Sequence, residues 1–238
     1  TQGTAINGSG QSHIVEVYGT VISALDTITL GSITLSGSIS ISIGTSGHVI
    51  SKYSDGAGAS AIGLFGGGST VVNDGEIQST GYGIFFSNPT VTDANTIVNN
   101  GVISGESGVE SRGAAGTVLN LINTGRIVGG EKSYGELAVQ NDTSSTTEVI
   151  TNSGLMQGDI SLMGGDDTYN GRNGTVRGIV SGGEGSDKIT GGAEKNVFDG
   201  GAGTDTLRGG KGADKLTGGT ESDTFVFRLT AESTPTAK

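Results

Sequence analysis

The chain has 238 residues, with 46 glycines, 2 prolines, no cysteine, no tryptophan and a formal net charge of −11. Without cysteine, it can form neither disulfides nor thiolate metal sites. The acidic balance argues against nucleic acid or an anionic membrane surface as a partner, because both need a basic surface. No apolar run reaches the length of a transmembrane helix.

The first clear element is a strand region at Thr27–Ile43, where apolar residues alternate with serine or threonine around Gly31 and Gly37. This period of two is typical of half-buried strands. A flat hydroxyl array could bind ice or glycan, but solvent-facing serine and threonine are also ordinary in strands. We therefore expect strands here and keep the hydroxyl array as a second interpretation.

A looser repeat runs through residues 15–160, in which a glycine precedes Val, Ile or Met and often follows an asparagine by two residues. We expect each copy to be a tight corner, where Asn and Gly tolerate a left-handed backbone, followed by a strand. The period is about 24–29 residues, within the range of solenoid repeats, along the series Gly19, Gly47, Gly75, Gly101, Gly125 and Gly154. This length suits one coil of a right-handed parallel β-helix.

The uneven spacing indicates loops that leave the coil, for example at Ser87–Asn95 and Glu131–Gly135. Such loops often build the binding face of a solenoid. They can equally be tolerated insertions, since loops carry both variation and function. The sequence leaves these two interpretations open.

Residues 158–181 join this repeat to a shorter one. Met163–Asn170 covers eight places of a degenerate nine-residue unit, in which Asp167 takes the sixth place and precedes Asp187 by close to two such units. We expect Asp167 and Asp187 to lie on the same edge, one coil apart. The chain would then be one solenoid with shrinking coils, divided into a β-helix at 1–160, a roll at 161–227 and a truncated tail at 228–238.

Five nine-residue units fill Gly182–Val226 without a change of register. Each unit opens with glycine and carries an apolar residue at its eighth place. A carboxylate or amide recurs at the sixth place, in Asp187, Asn196, Asp205, Asp214 and Asp223. Two units make one coil, so Ile189, Leu207 and Phe225 should stack on one sheet and Phe198 and Leu216 on the other.

This unit resembles the calcium-binding nonapeptide of RTX (repeats-in-toxin) proteins. The resemblance implies a β-roll in which glycine-rich turns, stacked two units apart, offer carbonyls and an aspartate to several Ca²⁺ ions. The implied metal-binding residues are Asp167, Gly183, Gly185, Asp187, Asn196, Gly201, Gly203, Asp205, Gly210, Gly212, Asp214 and Asp223. Without metal the stacked aspartates would repel, so we expect the roll to be poorly folded without calcium.

The two edges of this roll are unequal. The second unit has Glu194 and Asn196 where glycine and aspartate are usual, so we expect weaker binding on the edge of Asn196 and Asp214. The fifth unit has Glu221 where glycine is usual. Because aspartate occupies every sixth place on the edge of Asp187, Asp205 and Asp223, we expect this edge to bind calcium more strongly.

The segment after Val226 resembles the part that closes the calcium roll in serralysin-type secreted proteins, before their secretion domain. Because the chain starts at Thr1 and stops at Lys238, we expect a fragment without its export signals. The last coil would then be an exposed edge that favours end-to-end self-association.

Enzyme motifs that accompany such repeats are missing, since the chain has neither HExxH nor GxSxG. The alternative enzyme is a polysaccharide lyase or epimerase of the parallel β-helix type, although the Asp-Pro-His motif of alginate epimerases is absent and residues 1–160 hold only 4 basic residues. Its candidate residues would be Asp74, Glu76, Tyr82, Glu106, Glu110, Arg112 and Arg126. By default, these carboxylates are expected to be a solvated face.

We therefore predict an all-β chain, a right-handed parallel β-helix that continues into a calcium-binding β-roll. The expected function is a structural or adhesive one, secreted or at the bacterial cell surface, with folding completed by calcium after export. Beyond calcium, a surface glycan or another protein is the expected partner.

Overall fold

The computed structural model describes residues 6–8, 13–23, 28–31, 39–52, 60–88, 93–130, 137–141 and 146–228. Every regular element among these residues is a β-strand, and every strand pairing is parallel. No helix capable of crossing a membrane occurs in this part of the chain. The predicted all-β solenoid is confirmed.

The described strands form three sheets, each built from every third strand in the long coils. In spatial order, the first sheet contains β1 (Ile6–Gly8), β4 (Ile28–Gly31), β7 (Ser60–Phe65), β10 (Tyr82–Asn88), β13 (Ser107–Gly113), β16 (Leu137–Asn141), β19 (Asp159–Ser161), β22 (Ile179–Glu184), β24 (Val197–Ala202) and β26 (Lys215–Thr220). The second sheet contains β2 (His13–Val17), β5 (Ile39–Ile43), β8 (Thr70–Asn73), β11 (Asn95–Asn99), β14 (Val118–Asn123), β17 (Thr147–Asn152), β20 (Thr168–Asn170), β23 (Lys188–Thr190), β25 (Thr206–Arg208) and β27 (Thr224–Phe225).

The third sheet is shorter and stops before the nonapeptides. It contains β3 (Thr20–Ser23), β6 (His48–Ser51), β9 (Glu76–Ser79), β12 (Val102–Gly105), β15 (Arg126–Gly129), β18 (Leu155–Gln157) and β21 (Thr175–Arg177). After Arg177 each coil has only two strands, one in the first sheet and one in the second. The first two sheets thus run from the long coils into the short ones, while the division at residue 160 stays a prediction.

Some sequence predictions fall on residues outside the described ranges. Of the strand region Thr27–Ile43, β4 and β5 are described, but residues 27 and 32–38 are not. Residues 89–92 of the loop Ser87–Asn95, the loop Glu131–Gly135 and residues 229–238 of the tail also lie outside.

The core consists of apolar columns, one for each sheet. Parallel pairing puts each inward side chain directly beneath its counterpart in the preceding coil, as in the third-sheet pairs Ile77–Ile103 and Ile103–Ile127. All three of these isoleucines are fully buried. In the two-strand coils, Ile189 pairs with Leu207 in the second sheet, and Phe198 with Leu216 in the first, as predicted. A column that repeats on every coil explains why the apolar period could be read from the sequence.

The glycines of the long repeat also form a column, but for a different reason from the one predicted. None of Gly75, Gly101, Gly125 and Gly154 has a positive φ, so a left-handed corner is the wrong explanation. Instead, a Cβ at each of them would clash with the carbonyl oxygen of the corresponding glycine one coil earlier. Glycine is needed here because the stacked corners approach too closely for any side chain.

The asparagines that precede these glycines form a buried ladder at the end of the second-sheet strands. Each donates its Nδ2 to the Oδ1 of the next asparagine, at 2.7 Å from Asn73 to Asn99, 2.7 Å from Asn99 to Asn123 and 2.8 Å from Asn123 to Asn152. Asn152 donates to the hydroxyl of Tyr169 at 3.4 Å. A primary amide is both donor and acceptor, so stacked asparagines can satisfy one another's hydrogen-bonding groups.

We expect Asn99→Ala to lower the free energy of unfolding by about 1–3 kcal/mol, since it removes one acceptor of Asn73 Nδ2 and leaves the buried Oδ1 of Asn123 without its donor. The measurement is urea denaturation followed by circular dichroism. Asn120→Ala is the control, because Asn120 lies on the outward face of β14 and is partly exposed. An effect of Asn99→Ala no larger than that of Asn120→Ala would contradict a stabilising ladder.

Candidate metal centre

Three of the five nonapeptide turns have left-handed glycines at both their second and fourth places. The φ angles are 109° and 130° for Gly183 and Gly185, and 109° and 124° for Gly201 and Gly203. A Cβ at Gly201 or Gly203 would also clash with the carbonyl of the glycine one coil above. Positive φ and close stacking together exclude almost every other residue at these positions.

The sixth-place aspartates of one edge form a continuous column. Each Oδ1 accepts the backbone N–H of the aspartate one coil earlier, at 2.8 Å from Asp167 to Asp187, 2.8 Å from Asp187 to Asp205 and 3.1 Å from Asp205 to Asp223. Asp167 therefore lies directly above Asp187, on the edge that its spacing from Asp187 predicted. The column contains every aspartate predicted for that edge.

The second oxygen of three of these carboxylates lacks a hydrogen-bond partner in the described part of the chain. The Oδ2 atoms of Asp167, Asp187 and Asp205 are buried and make no hydrogen bond among the described residues. In Asp187 this oxygen points back into its own turn, where a Cβ on Gly182 would clash with it. Asp205 lies in the same way against Gly200. A buried oxygen without a donor is a costly arrangement that a cation would relieve.

Burial changes the acid–base behaviour of the column. Desolvation raises the pKa of Asp187 to about 7, against the lowering effect of the Asp167 N–H, and the charges of Asp167, Asp205 and Asp166 add to the rise. Burial likewise raises the pKa of Asp167 to about 6. Burial also raises the pKa of Asp205. Without a cation, these carboxylates are thus poorly stabilised in their charged form.

Glu148 is a member of this column that the sequence did not reveal. Its backbone N–H donates to Asp167 Oδ1 at 2.7 Å, and its side chain is fully buried. The proximity of Glu148 to Asp167 opposes part of the effect of burial on the pKa of Asp167. Glu148 precedes the nonapeptides and follows no glycine turn, so only its register opposite Asp167 could have identified it.

The turn above the first nonapeptide has the same backbone as the nonapeptide turns. Met163 and Gly165 have φ of 66° and 121° and lie above Gly183 and Gly185 respectively. Leu162 takes the first place of this turn, where the nonapeptides have glycine. This turn therefore has the backbone conformation of the nonapeptide turns although its sequence departs from theirs.

The opposite edge contains Asn196 and Asp214. The N–H of Asn196 donates to Asp214 Oδ1 at 2.9 Å, the same link as in the aspartate column. Gly210 and Gly212 have φ of 98° and 109°, but Gly192 and Glu194 are not left-handed. The turn with the unusual sequence thus also has an unusual backbone.

The fifth unit has a left-handed residue at its fourth place, although this residue is not a glycine. Glu221 has a φ of 70°, and its Oε2 accepts the N–H of Gly203 at 2.8 Å and the hydroxyl of Thr220 at 2.6 Å. These bonds lower the pKa of Glu221, the Thr220 contact most strongly. A carboxylate here caps the stacked turn above it.

The donor set suits a hard, oxygen-seeking cation. No group of three His, Asp or Glu side chains comes together in the described part of the chain, so a purely side-chain site is not formed there. The turns of Asp167, Asp187 and Asp205 instead each provide one buried carboxylate beside closely stacked backbone carbonyls. Calcium accepts six to eight oxygens of both kinds in flexible geometry, and it fits these residues.

The residues considered for polysaccharide chemistry separate into different places. Glu76 pairs with His48 at 2.9 Å, Asp74 accepts from Asn100 at 2.7 Å, and Arg126 contacts Gln157 at 3.4 Å. Of the seven, Tyr82, Glu110 and Arg112 form one group on the first sheet. Burial and the charges of Glu110 and Glu106 raise the pKa of Tyr82, and the charge of Arg112 opposes this rise.

Glu110 contradicts the expectation of a solvated face. Its side chain is 1% exposed and accepts from Arg112 Nε at 2.7 Å. The Arg112 guanidinium lies 5.9 Å from the centroid of Tyr82 and 5.4 Å from that of Phe85, whose rings stack at 5.5 Å. Phe65 meets Phe85 edge-on at 5.9 Å. We call Phe65, Tyr82, Phe85, Glu110 and Arg112 the aromatic–arginine patch. The buried carboxylate of Glu110 orients the Arg112 side chain with which it is paired.

Comparison with known proteins supports the metal assignment. Residues 179–207 and 199–227 match the family model of the RTX calcium-binding nonapeptide repeat. The chain therefore carries RTX repeats, which bind Ca²⁺ at multiple sites. No curated protein and no solved structure matches the chain.

We expect the calcium-free protein to gain stability when the pH falls from 8 to 5. Asp187 and Asp167 have folded-state pKa values of about 7 and about 6, above the usual value near 4 for an unfolded chain. The folded state therefore binds more protons between about pH 4 and pH 7, and its stability falls as the pH rises through that interval. Thermal melting of calcium-free protein measures this.

Two variants test the source of this pH dependence. Asp187→Asn removes one titrating group and should flatten the profile, whereas Asp199→Asn, at an exposed position of β24, should change it much less, since Asp199 acts on the column only through a minor charge effect on Asp205. A calcium-free protein that is less stable at pH 5 than at pH 8 would contradict the buried column.

Proposed function

We propose that this chain is a secreted or cell-surface calcium-binding solenoid with a structural and adhesive role, whose roll completes its folding after export. The observation that carries the proposal is the column of buried carboxylates with partnerless Oδ2 atoms. RTX repeats are also typical of proteins that bacteria secrete. A module that needs calcium would stay incompletely folded before export and fold outside.

The proposed calcium-binding edge runs from Asp167 to Asp223. Asp167, Asp187 and Asp205 would each present Oδ2 to an ion, together with carbonyls of the turns at Gly183, Gly185, Gly201 and Gly203. Bound Ca²⁺ supplies the positive charge and the coordination that the buried oxygens lack. The chain's own part is to hold each Oδ1 on the N–H of the coil above, which fixes where Oδ2 points.

The folding role follows from the narrow core of the roll. Each two-strand coil buries few large apolar side chains, for example Phe198 and Leu207 in successive strands. This area is small against the conformational entropy lost on ordering the two nonapeptides of each coil. Ion binding at the turns would add the missing stability, because binding and folding are coupled where no site is preformed.

The adhesive part of the proposal rests on the aromatic–arginine patch. Its rings and the Arg112 guanidinium lie on the first sheet, and the Arg112 side chain is 43% exposed. Aromatic faces can pack on the apolar faces of sugars, while an arginine held by a carboxylate can donate to hydroxyls. With a net charge of −11, a neutral glycan is a better partner than an acidic one.

Chelation should lower the melting temperature and the β-sheet signal, with half-saturation by calcium in the ~10⁻⁴–10⁻³ M range of extracellular modules. Asp205→Ala should weaken calcium affinity about tenfold or more, because Asp205 lies inside the column. Calorimetric titration and circular dichroism measure both effects. In chelator the variant should differ little from the wild type, since it also removes one repelling charge.

Asp199→Ala is the matched control, because Asp199 is exposed on an outward face of the same roll. Asp167→Ala tests the upper end of the column and should reduce the number of bound ions. A melting curve that chelation leaves unchanged would overturn the calcium role.

The adhesive role predicts that Tyr82→Ala together with Phe85→Ala weakens binding to a neutral polysaccharide about tenfold, because it removes the stacking surface. Binding is measured by affinity electrophoresis in calcium, with Tyr18→Ala as the control, since Tyr18 is exposed outside the patch. Equal binding by all three proteins would contradict this role. Depolymerisation or epimerisation of a uronate polymer by the wild type would favour the enzyme alternative instead.

A further inference from the structure

One turn of the roll differs from its neighbours in backbone, sequence and hydrogen bonding. In residues 191–196 neither Gly192 nor Glu194 adopts the left-handed conformation found in the turns of Gly183, Gly201 and Gly210. The backbone of this turn therefore differs from that of the neighbouring turns at its second and fourth places. The turn is nonetheless well packed, since Asn196 is 4% exposed.

The side chain of Asn196 holds this turn to the one below it. Its amide is assigned with Nδ2 toward two carbonyls, because in the opposite orientation Oδ1 would face only acceptors. Nδ2 then donates to Glu194 O at 3.2 Å and to Gly209 O at 2.9 Å. One carbonyl belongs to its own turn and the other to the turn of the next coil. A single NH₂ group thus bridges two stacked turns.

The opposite edge has no such bridge at the equivalent position. There Asp187 Oδ2 lies beside Gly182, next to the carbonyl of Gly200 on the turn below. Both atoms are acceptors, and Asp187 Oδ2 makes no hydrogen bond. Asn196 lies in the same way beside Gly191, next to the carbonyl of Gly209. The chemical difference between the two side chains is an amide nitrogen in place of a carboxylate oxygen.

The position of this turn in the fold is consistent with its unusual backbone and with asparagine at its sixth place. The chain directly above it, from Gly171 to Gly174, leads into β21, the last strand of the third sheet. A Cβ on Gly192 would lie 2.8 Å from Gly171 O, 2.9 Å from Arg172 O and 3.2 Å from Gly174 O. A three-strand coil therefore meets a two-strand coil here, so the turn above is not a matching half of a calcium site.

We propose that the amide of Asn196 takes the place of a calcium ion between the turns 191–196 and 209–214, so that this junction is closed without metal. The inference rests on the proposed calcium role of the opposite edge, because it describes where that role ends. It replaces the expected weak site at Asn196 with a turn that is already formed. The two edges of the roll should then respond differently to calcium removal.

Hydrogen–deuterium exchange of the wild-type chain, with calcium and with chelator, tests this directly. Chelation should expose the amides of residues 182–187 and 200–205, while the amides of residues 191–196 and 209–214 stay protected. Loss of protection at both edges together would overturn the inference. Failure of the proposed calcium role would look different, since neither edge would then respond to chelation.

A reciprocal pair of variants tests the chemistry of the amide. Asn196→Asp should bind one calcium ion more than the wild type by calorimetric titration and make residues 191–196 sensitive to chelation. Asp187→Asn should bind fewer ions and melt at a higher temperature than the wild type in chelator, because its new NH₂ faces the Gly200 carbonyl. Lys195→Gln, at an exposed position of the same turn, is the control.

Glu194→Gly combined with Asn196→Asp restores both usual residues, in case the single substitution is limited by the backbone of the turn. Equal numbers of bound ions in the wild type and in both Asn196→Asp proteins would overturn the inference.

Discussion

Parallel stacking is the constraint from which the other features of this solenoid follow. It sets each side chain directly beneath its counterpart, so a buried position must be compatible with repeated copies of itself. Isoleucines satisfy this by packing, as in the column through Ile77, Ile103 and Ile127. Asparagines satisfy it because an amide donates and accepts. Carboxylates do not satisfy it, because the buried Oδ2 atoms of Asp167, Asp187 and Asp205 have no hydrogen-bond donor among the described residues. Their column is where we propose that calcium binds.

The position of each column also explains how the solenoid changes its cross-section. While the third sheet continues, the asparagine ladder joins the stacked coils at one corner by side-chain hydrogen bonds. The carboxylate column begins at Glu148, two coils before the third sheet is lost after Arg177. The amide and carboxylate columns therefore overlap. The first two sheets continue while the side chains stacked at the turns change from asparagines to aspartates.

Much of this arrangement could be predicted from the sequence, because the repeat period and the register can be read from the spacing of the residues. The nonapeptide period put Asp187, Asp205 and Asp223 on one edge, and the distance of nearly two units along the chain added Asp167 above them. The reason for glycine at Gly101 was not accessible, since steric closeness between coils depends on coordinates. Glu148 was hidden because its strand has no glycine turn, and Glu110 because its burial depends on contacts with distant strands.

The asparagine ladder has a direction. Asn73 donates at one end, Tyr169 accepts at the other, and every amide between them points the same way. At the upper end, Ile43 occupies the place above Asn73 and provides no donor. A whole coil could therefore be gained or lost between the ends without disturbing either terminus, provided that it brings one asparagine in register. The ladder makes the length of the solenoid adjustable in units of one coil.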